Sequence, residues 1–273
     1  MELPVAAESY HASPDALVRA VKRVNVVTGR MTAAETQLDT ATAFTNPQRP
    51  LVYGGNFAAD VRPVDGLPAE QAIDQILEHF ASQDCVCRMM IGNETQWPAG
   101  LAAALQQHGY QADTNVVCSV KNYVRPTKLN GDLQIVPGRS MYPQLRAFRR
   151  QAELEQHRGD APIAEQIASW YIDALDEPRL EVFLGRLGGQ AVGLINLVTL
   201  GQIGVIEWVY TAESARRQAV ATTLLAHAMD HCQRALFDNV ILEAAAGDQV
   251  LGLYQRLGFL PVATYANYVL SDA

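Results

Sequence analysis

The most constraining feature of the sequence is an apolar, strand-like run at residues 203–211 that leads through a polar segment into a helix. The run contains a single acidic residue, Glu207, and the polar segment reads AESARRQAVA. The apolar periodicity that follows predicts a helix over residues 222–237. A helix N-terminus carries unpaired backbone N–H groups and the positive end of the helix dipole, so this junction is a potential anion site.

The residues at the start of this helix suit a phosphate group. Ala219 and Ala221 are small enough to let an anion approach the backbone, and Arg216 and Arg217 add positive charge. The full set of candidate binding residues is Arg216, Arg217, Gln218, Ala219, Val220, Ala221 and Thr222. On these observations alone, an ordinary polar loop that caps a helix is the alternative.

The rest of the second half predicts a mixed α+β fold. Strands are predicted at residues 133–136, 180–187, 190–199, 239–245 and 266–270, and helices at 142–153, 162–175 and 249–257. Gly188-Gly189 forms a two-residue turn between neighbouring strands, because glycine tolerates a positive φ. Antiparallel strands followed by alternating helices and strands are typical of a mostly antiparallel sheet with helices on its faces.

Two ordered motifs resemble the GNAT N-acetyltransferase superfamily. Residues 216–221 resemble its pyrophosphate loop, which has Arg or Gln, two residues, Gly, one residue, then Gly or Ala. The run LYQRLGF at residues 253–259 resembles its second motif, Leu-Tyr, three residues, then Gly-Phe. The resemblance covers about residues 133–270 and implies an acyl-CoA N-acyltransferase fold with acetyl-CoA as co-substrate. Ala219 stands where the family usually has Gly, and Gly247 where an Asn that contacts coenzyme A is common.

The resemblance also implies roles for individual residues. A backbone N–H group within Val209, Tyr210 and Thr211 would polarise the thioester carbonyl. Tyr254 would contact the cofactor and protonate the leaving thiolate, although it could also pack there for shape alone. Glu207 is the candidate base, because burial would raise its pKa; the alternative is that it faces solvent or pairs with an arginine. Strand alternation predicts that Glu207 shares a face with Val209 and Thr211.

The first half echoes the second half. The helix LAAALQQH, Gly109, an aromatic residue and the strand NVVCSV repeat the order seen around Gly258, with an offset of 149 residues, 258 minus 109. Leu105 takes the place of Tyr254, and no Arg-x-x-Gly-x-Gly pattern precedes the helix at 69. We therefore predict a degenerate GNAT-like domain over residues 1–128, which helps to shape the acceptor cleft, and a catalytic domain over residues 129–273.

Within the first half, glycines and prolines interrupt the pattern. Helices are predicted at residues 14–30, 69–82 and 98–108, and strands at 51–53, 85–91 and 115–120. Residues 45–68 are otherwise predicted to be loop.

Composition excludes several classes of function. A net charge of -8 disfavours nucleic acid and anionic membranes as partners. No stretch is long and apolar enough to span a membrane, and the N-terminus lacks the pattern of a secretory signal. The four cysteines contain no CxxC motif, which favours reduced thiols and a cytoplasmic protein. His227 and His231 share a helix face without a third ligand, so we predict no metal site.

Together these observations predict an N-acetyltransferase that moves the acetyl group of acetyl-CoA to a primary amine by direct attack. The acceptor is expected to be a small molecule or a peptide, and Glu207, Glu243 and Asp248 favour a cationic amine. A homodimer is possible. Two alternatives stay open: an N-acyltransferase that uses a longer acyl-CoA, and a non-catalytic module that binds or senses coenzyme A.

Overall fold

The computed structural model describes residues 12–157 and 159–270, which form one eleven-stranded sheet with helices on both faces. The strands are β1 Ala34–Gln37, β2 Thr42–Thr45, β3 Phe57–Val61, β4 Met89–Gly92, β5 Tyr110–Val120, β6 Gln134–Pro137, β7 Leu180–Leu187, β8 Gln190–Leu200, β9 Ile203–Thr211, β10 Asn239–Ala245 and β11 Phe259–Leu270. The helices are α1 Pro14–Thr32, α2 Ala69–Ser82, α3 Ala99–Gln107, α4 Tyr142–Gln156, α5 Ala161–Ala174, α6 Val220–Arg234 and α7 Leu251–Arg256.

The strand order is β1-β2-β3-β4-β11-β5-β10-β9-β8-β7-β6. The pairs β3–β4 and β9–β10 are parallel, and the other neighbouring pairs are antiparallel. The predicted fold class, a mixed and mostly antiparallel α+β sheet, is therefore confirmed.

The two halves exchange their last strands. β5 comes from the first half but pairs with β10 of the second, and β11 comes from the second half but pairs with β4 of the first. In between, β5 and β11 pair with each other along their lengths, from Tyr110 opposite Leu270 to Val120 opposite Phe259. The sheet is continuous across the two halves because of this exchange.

The duplication predicted from sequence is visible in the backbone. The 149-residue offset places β3 on β9 and β4 on β10, so the two parallel pairs correspond to each other. Asp60 in β3 and Trp208 in β9 both have positive φ, at 53° and 46°, beside an irregularity in strand register. The first half thus keeps the fold of the second, including its strand irregularity. The domain boundary between residues 128 and 129 stays a prediction.

Helices cover both faces of the second half's strands. Helices α1, α4 and α5 pack on one face around Leu145, Val182 and Val205, which are at most 4% exposed. Helices α6 and α7 pack on the other face around Leu224, which is fully buried, and its neighbours. Helix α1 begins after Ser13, whose hydroxyl accepts a hydrogen bond from the Ala16 amide at 3.3 Å. Although α1 belongs to the first half, its buried residues pack in the same cluster as Val182 and Val205, so it covers strands of the second half.

The structure corrects several predictions for the first half. The strand predicted at residues 51–53 is wrong, because this segment forms turns and a short 3-10 helix at Tyr53–Gly55. The strands β1, β2 and β3 were missed, and the strand predicted at 85–91 is the shorter β4. The predicted strands 115–120 and 266–270 are the ends of the longer β5 and β11, which are long because each pairs across the two halves.

The predictions for the second half agree better. The hairpin between β7 and β8 is confirmed, with Gly188 and Gly189 at φ of 54° and 82°. Helix α6 begins at Val220, two residues before the predicted start. No helix within the described ranges has the length and apolarity that crossing a membrane requires.

Candidate active site

Strand β9 contains a bulge that changes which residues face each side of the sheet. Opposite β8, Tyr210 pairs with Leu194 but Glu207 pairs with Asn196, so β9 carries one extra residue there. Trp208 absorbs the distortion with a φ of 46°. As a result Glu207 and Trp208 both face the side covered by α1 and α5.

The prediction that Glu207 shares a face with Val209 and Thr211 is therefore wrong. Val209 packs with the cluster under α6, and Thr211 lines a groove on that same side. Strict alternation would have kept the three residues together, but the bulge moves Glu207 to the opposite face.

The sheet opens beyond this bulge. The parallel pairing of β9 with β10 runs from Ile203–Asn239 to Ile206–Leu242, and β9 continues to Thr211 without further pairing to β10. Strand β10 instead continues alongside β5 as far as Ala245. Past Ile206, the edge of β9 that faces β10 therefore has backbone groups with no strand to pair with, which is where an extended ligand can add.

A groove of about 880 Å³ lies at the α6 end of this opening. Its volume falls within the range of about 300–1,000 Å³ that is usual for ligand sites. Its lining residues are Thr211, Ala215, Arg216, Arg217, Ala219, Val220, Ala221, Thr222, Gly247, Asp248, Gln249, Val250 and Leu253. The structure thus brings most of the predicted cofactor residues together around one cavity.

The start of α6 leaves its first backbone N–H groups available. Ala219 occupies the N-cap with φ 59° and ψ 19°, and no side chain caps the helix. The Thr223 hydroxyl donates to the Ala219 carbonyl at 2.8 Å and accepts from the Asn130 amide at 2.9 Å. These bonds fix the shape of the loop, and the residues of the first helical turn, Val220, Ala221 and Thr222, line the groove.

Of the other predicted cofactor residues, Thr211 lines the groove, whereas the side chains of Gln218 and Tyr210 make contacts elsewhere. The Gln218 side chain points towards the preceding turn of the chain, where its Nε2 donates to the Ser214 carbonyl at 3.2 Å. The Tyr210 hydroxyl donates to Glu155 on the opposite face of the sheet. The Thr211 hydroxyl is buried and has no hydrogen-bond partner among the described residues.

A second cavity of about 480 Å³ shares Arg217, Ala219, Thr222 and Leu253 with the groove. Four basic residues line it: Arg125, Lys128, Arg217 and Arg256. Arg125 is ion-paired with Asp230. Arg216 is likewise paired with Glu213, at 3.2 Å, and Asp248 lines the groove, so the positive charge around the start of α6 comes mainly from Lys128, Arg217 and Arg256.

Tyr254 lies on α7 and is 7% exposed. Its ring packs edge-on against Phe259, with centroids 6.4 Å apart, in the cluster that contains Cys118. Burial, with smaller effects from Asp248 and Cys118, raises its pKa to about 12. Tyr254 does not line the 880 Å³ groove, although Val250 and Leu253 on the same helical segment do.

A cavity of about 140 Å³ surrounds Glu207 on the other face of the sheet. It is lined by Val24, Asn25, Thr28, Arg149, Trp170, Tyr171, Ala174, Leu180, Asn196, Glu207 and Trp208. Glu207 is half-buried there, and its burial, followed by the nearby charge of Glu243, raises its pKa to about 8. Helix α1 supplies one wall, so both halves of the chain build this cavity.

The sequence reasoning missed Arg149, Asn196 and Trp208 as cavity residues. A signal for Arg149 exists, because Leu145, Arg149 and Ala152 fall at helical spacing on the buried side of α4. An arginine within an apolar stripe marks a buried charge that needs a partner. Trp208 carried no comparable signal, because the residues around it read as an ordinary strand and do not indicate a positive φ.

A mixed sheet that opens between two parallel strands beside a helix N-terminus defines the fold as that of an acyl-CoA N-acyltransferase. The model of the acetyltransferase (GNAT) family matches residues 145–259. Residues 145–259 therefore form a GNAT-family domain, and the strand order of the first half repeats the same fold.

Solved structures support the fold along most of the chain. A GCN5-related N-acetyltransferase from Kribbella flavida is 15% identical with a TM-score of 0.61, covering 93% of this chain and 96% of that one. A GCN5-related N-acetyltransferase-like protein from Streptococcus suis is 14% identical with a TM-score of 0.55, covering 93% and 98%. A functionally unknown conserved protein from Staphylococcus epidermidis is 15% identical with a TM-score of 0.58, covering 89% and 96%. The comparison with curated proteins gives no match.

Proposed function

We propose that this protein transfers the acetyl group of acetyl-CoA to a primary amine by direct attack of the amine on the thioester. One observation carries the proposal: a groove at the start of α6 lies on one face of the sheet beside the edge of β9 that β10 leaves unpaired, and Glu207 of β9 lines a cavity on the other face. Two substrates would therefore approach β9 from opposite faces.

The start of α6 suits the pyrophosphate of coenzyme A. The amides of Val220, Ala221 and Thr222 belong to the uncapped first turn, and the dipole of α6 favours an anion there. Ala219 already adopts the left-handed conformation that glycine usually provides, so its methyl group adds bulk without altering the shape of the loop. Arg216 and Arg217 line the same groove; Arg217 adds positive charge there, whereas Arg216 is paired with Glu213 at 3.2 Å.

The unpaired edge of β9 would hold the acyl end of the cofactor. Backbone N–H groups in the segment Val209, Tyr210 and Thr211 would polarise the thioester carbonyl; the end of the β9–β10 pairing at Ile206 supports this role. The Tyr254 hydroxyl has a pKa of about 12, so it stays protonated at neutral pH and can donate to the departing thiolate.

Glu207 would accept the proton that the acceptor nitrogen loses as the amine attacks the thioester, directly or through water. A pKa of about 8 lies close to a neutral working pH, which is the condition under which a general base is most effective. The bulge at Trp208 is what turns Glu207 into the cavity rather than into the cofactor groove. The base and the cofactor loop thus act from opposite faces.

Amine-dependent release of coenzyme A tests this function. Purified protein with acetyl-CoA and a panel of primary amines should release thiol faster than it does without an amine. Ala221→Asp serves as the matched control, because it places a negative charge at the start of α6 while leaving Glu207 intact. Acetyl-CoA binding without amine-dependent release for any amine in the panel would contradict transfer and support a binding module instead.

A further inference from the structure

Resting on the proposed function, we infer that the acceptor amine also carries a carboxylate, which Arg149 binds in the cavity that holds Glu207. The acceptor would then be a small zwitterion, such as a free amino acid. Arg149 would act as a substrate-binding residue on the acceptor side, separate from the cofactor groove.

Arg149 is a buried cation with unused hydrogen-bonding capacity. It is 7% exposed, and its Nη2 lies 2.6 Å from Oε1 of Glu153. Its Nε and Nη1 are buried and have no hydrogen-bond partner among the described residues. Those two nitrogens together carry three N–H bonds, and leaving buried donors unpaired is unfavourable. A ligand that accepts these bonds would remove that penalty.

The guanidinium group is held at the wall of the cavity. Its central carbon lies 3.3 Å from the ring centroid of Trp208 and 4.7 Å from that of Tyr171. Both rings line the same cavity as Glu207. Stacking on two aromatic rings fixes the position of the guanidinium group, which arginine permits because it is planar.

The neighbouring acids leave room for an anionic group. The Glu153 carboxylate contacts both Arg149 and His157, because its other oxygen lies 3.1 Å from Nε2 of His157. No ion pair or hydrogen bond joins Arg149 to Glu207 among the described residues, although both line the cavity. Glu207 therefore remains available to an amine while Arg149 remains available to an anion.

The cavity's size and its remaining polar group favour a compact acceptor. A volume of about 140 Å³ is several times the roughly 30 Å³ that one water occupies in the liquid. The Oδ1 of Asn196 accepts a hydrogen bond from the Tyr171 hydroxyl, which leaves the Asn196 amide nitrogen free to donate to a ligand. Arg149 requires an anion and Glu207 requires an amine. A short molecule that carries both a carboxylate and an amine meets both requirements within this volume.

The three acids that led us to expect a cationic amine, Glu207, Glu243 and Asp248, lie in different places. Asp248 lines the cofactor groove rather than the acceptor cavity. Glu243 accepts a hydrogen bond from the Tyr265 hydroxyl. Of the three acids only Glu207 lines the cavity, and Arg149 stands there with it.

Matched acceptor pairs test the inference. Glycine and glycinamide, and alanine and alaninamide, differ in the carboxylate but share the amine. We expect wild-type kcat/KM to favour the acid over its amide, and we expect Arg149→Lys to lower this ratio by at least about tenfold, the range for a hydrogen bond to a charged group. Comparing the ratio between variant and wild type cancels the difference in amine basicity. Arg150→Lys, one residue along α4 and paired with Glu165 at 3.0 Å, is the matched control.

A second variant and a binding readout protect the test against misfolding. Arg149→Met combined with Glu153→Gln removes both charges of the buried pair, so no lone charge is left behind. Propionate, which cannot be acetylated, should raise the melting temperature of wild type and of Arg150→Lys but not that of the double variant. Equal propionate effects in all three proteins, or acid-to-amide ratios unchanged in the Arg149 variants, would overturn the inference. Turnover of amines without any preference for the acid would also overturn it while leaving acetyl transfer intact, whereas a lack of all turnover would refute the proposed function itself.

Discussion

Replacing Glu207 with glutamine should make the stability of the protein less dependent on pH. The pKa of Glu207 is raised from 4.5 to about 8 in the folded protein, first by burial and then by the charge of Glu243. Between these two values the folded state binds more protons than the unfolded state. The free energy of unfolding therefore falls as pH rises from about 4.5 to about 8, and Glu207→Gln removes that loss.

The size of this effect follows from the two pKa values. At about 1.4 kcal/mol for each tenfold change in the proton affinity, the full difference corresponds to at most about 5 kcal/mol. Because Glu207 is only half-buried and its cavity has room for water, we expect about 2–3 kcal/mol. The variant and the wild type should be similarly stable at pH 5, and the variant should be more stable by this amount at pH 9.

Urea denaturation at a series of pH values from 5 to 9.5 measures the difference. Glu78→Gln, an exposed substitution on α2, is the control and should follow the wild-type profile. A gap between Glu207→Gln and wild type that stays constant with pH, or that favours wild type at high pH, would refute the burial of Glu207 as an ionisable group.

The same variant should lose activity. General acid–base groups contribute roughly 100- to 10,000-fold, so kcat/KM of Glu207→Gln should fall by at least about 100-fold near pH 7.5. The variant should recover only at a higher pH, where more of the amine is neutral without help. Superimposable pH–rate profiles for the two proteins would make Glu207 a structural residue.

Three further outcomes are expected. Ala221→Asp should weaken acetyl-CoA binding by at least about tenfold in calorimetry without lowering the melting temperature, because an acid in the first turn opposes a bound anion but suits the helix dipole; unchanged affinity would refute the cofactor site. Tyr254→Phe should lower kcat by about 100-fold with unchanged acetyl-CoA affinity, since a proton donated only in the transition state does not affect the ground state; a change below about threefold would make Tyr254 a packing residue. Calorimetric titration should give one acetyl-CoA per chain, whereas two would show that the first half binds the cofactor as well.

The loop at the start of α6 could be predicted from the sequence because its signals are local. The small and basic residues from Arg216 to Ala221 precede a helix with clear apolar periodicity, and the Gly188-Gly189 turn marks the hairpin. Each of these features depends on a few consecutive residues. The structure places them as the sequence indicates, with Ala219 at the helix N-cap.

The cavity around Glu207 could not be predicted, because it depends on contacts between distant segments. The bulge at Trp208 is imposed by pairing with β8, and it reverses the side that Glu207 faces. Arg149 becomes a cavity residue only because α1, α4 and α5 pack together over β8 and β9. The exchange of β5 and β11 likewise requires pairing between strands about 150 residues apart, for which a single sequence contains no local signal.

A structure determined with coenzyme A bound tests the central claim most directly. We predict that the pyrophosphate lies against the amides of Val220 and Ala221, and that the pantetheine chain runs along the edge of β9 beyond Ile206, into the gap that β10 leaves. The thiol should then point towards the face where Glu207 lines its cavity. Coenzyme A bound elsewhere, for instance between β3 and β4 of the first half, or a gap between β9 and β10 that is closed in the complex, would contradict the proposed function.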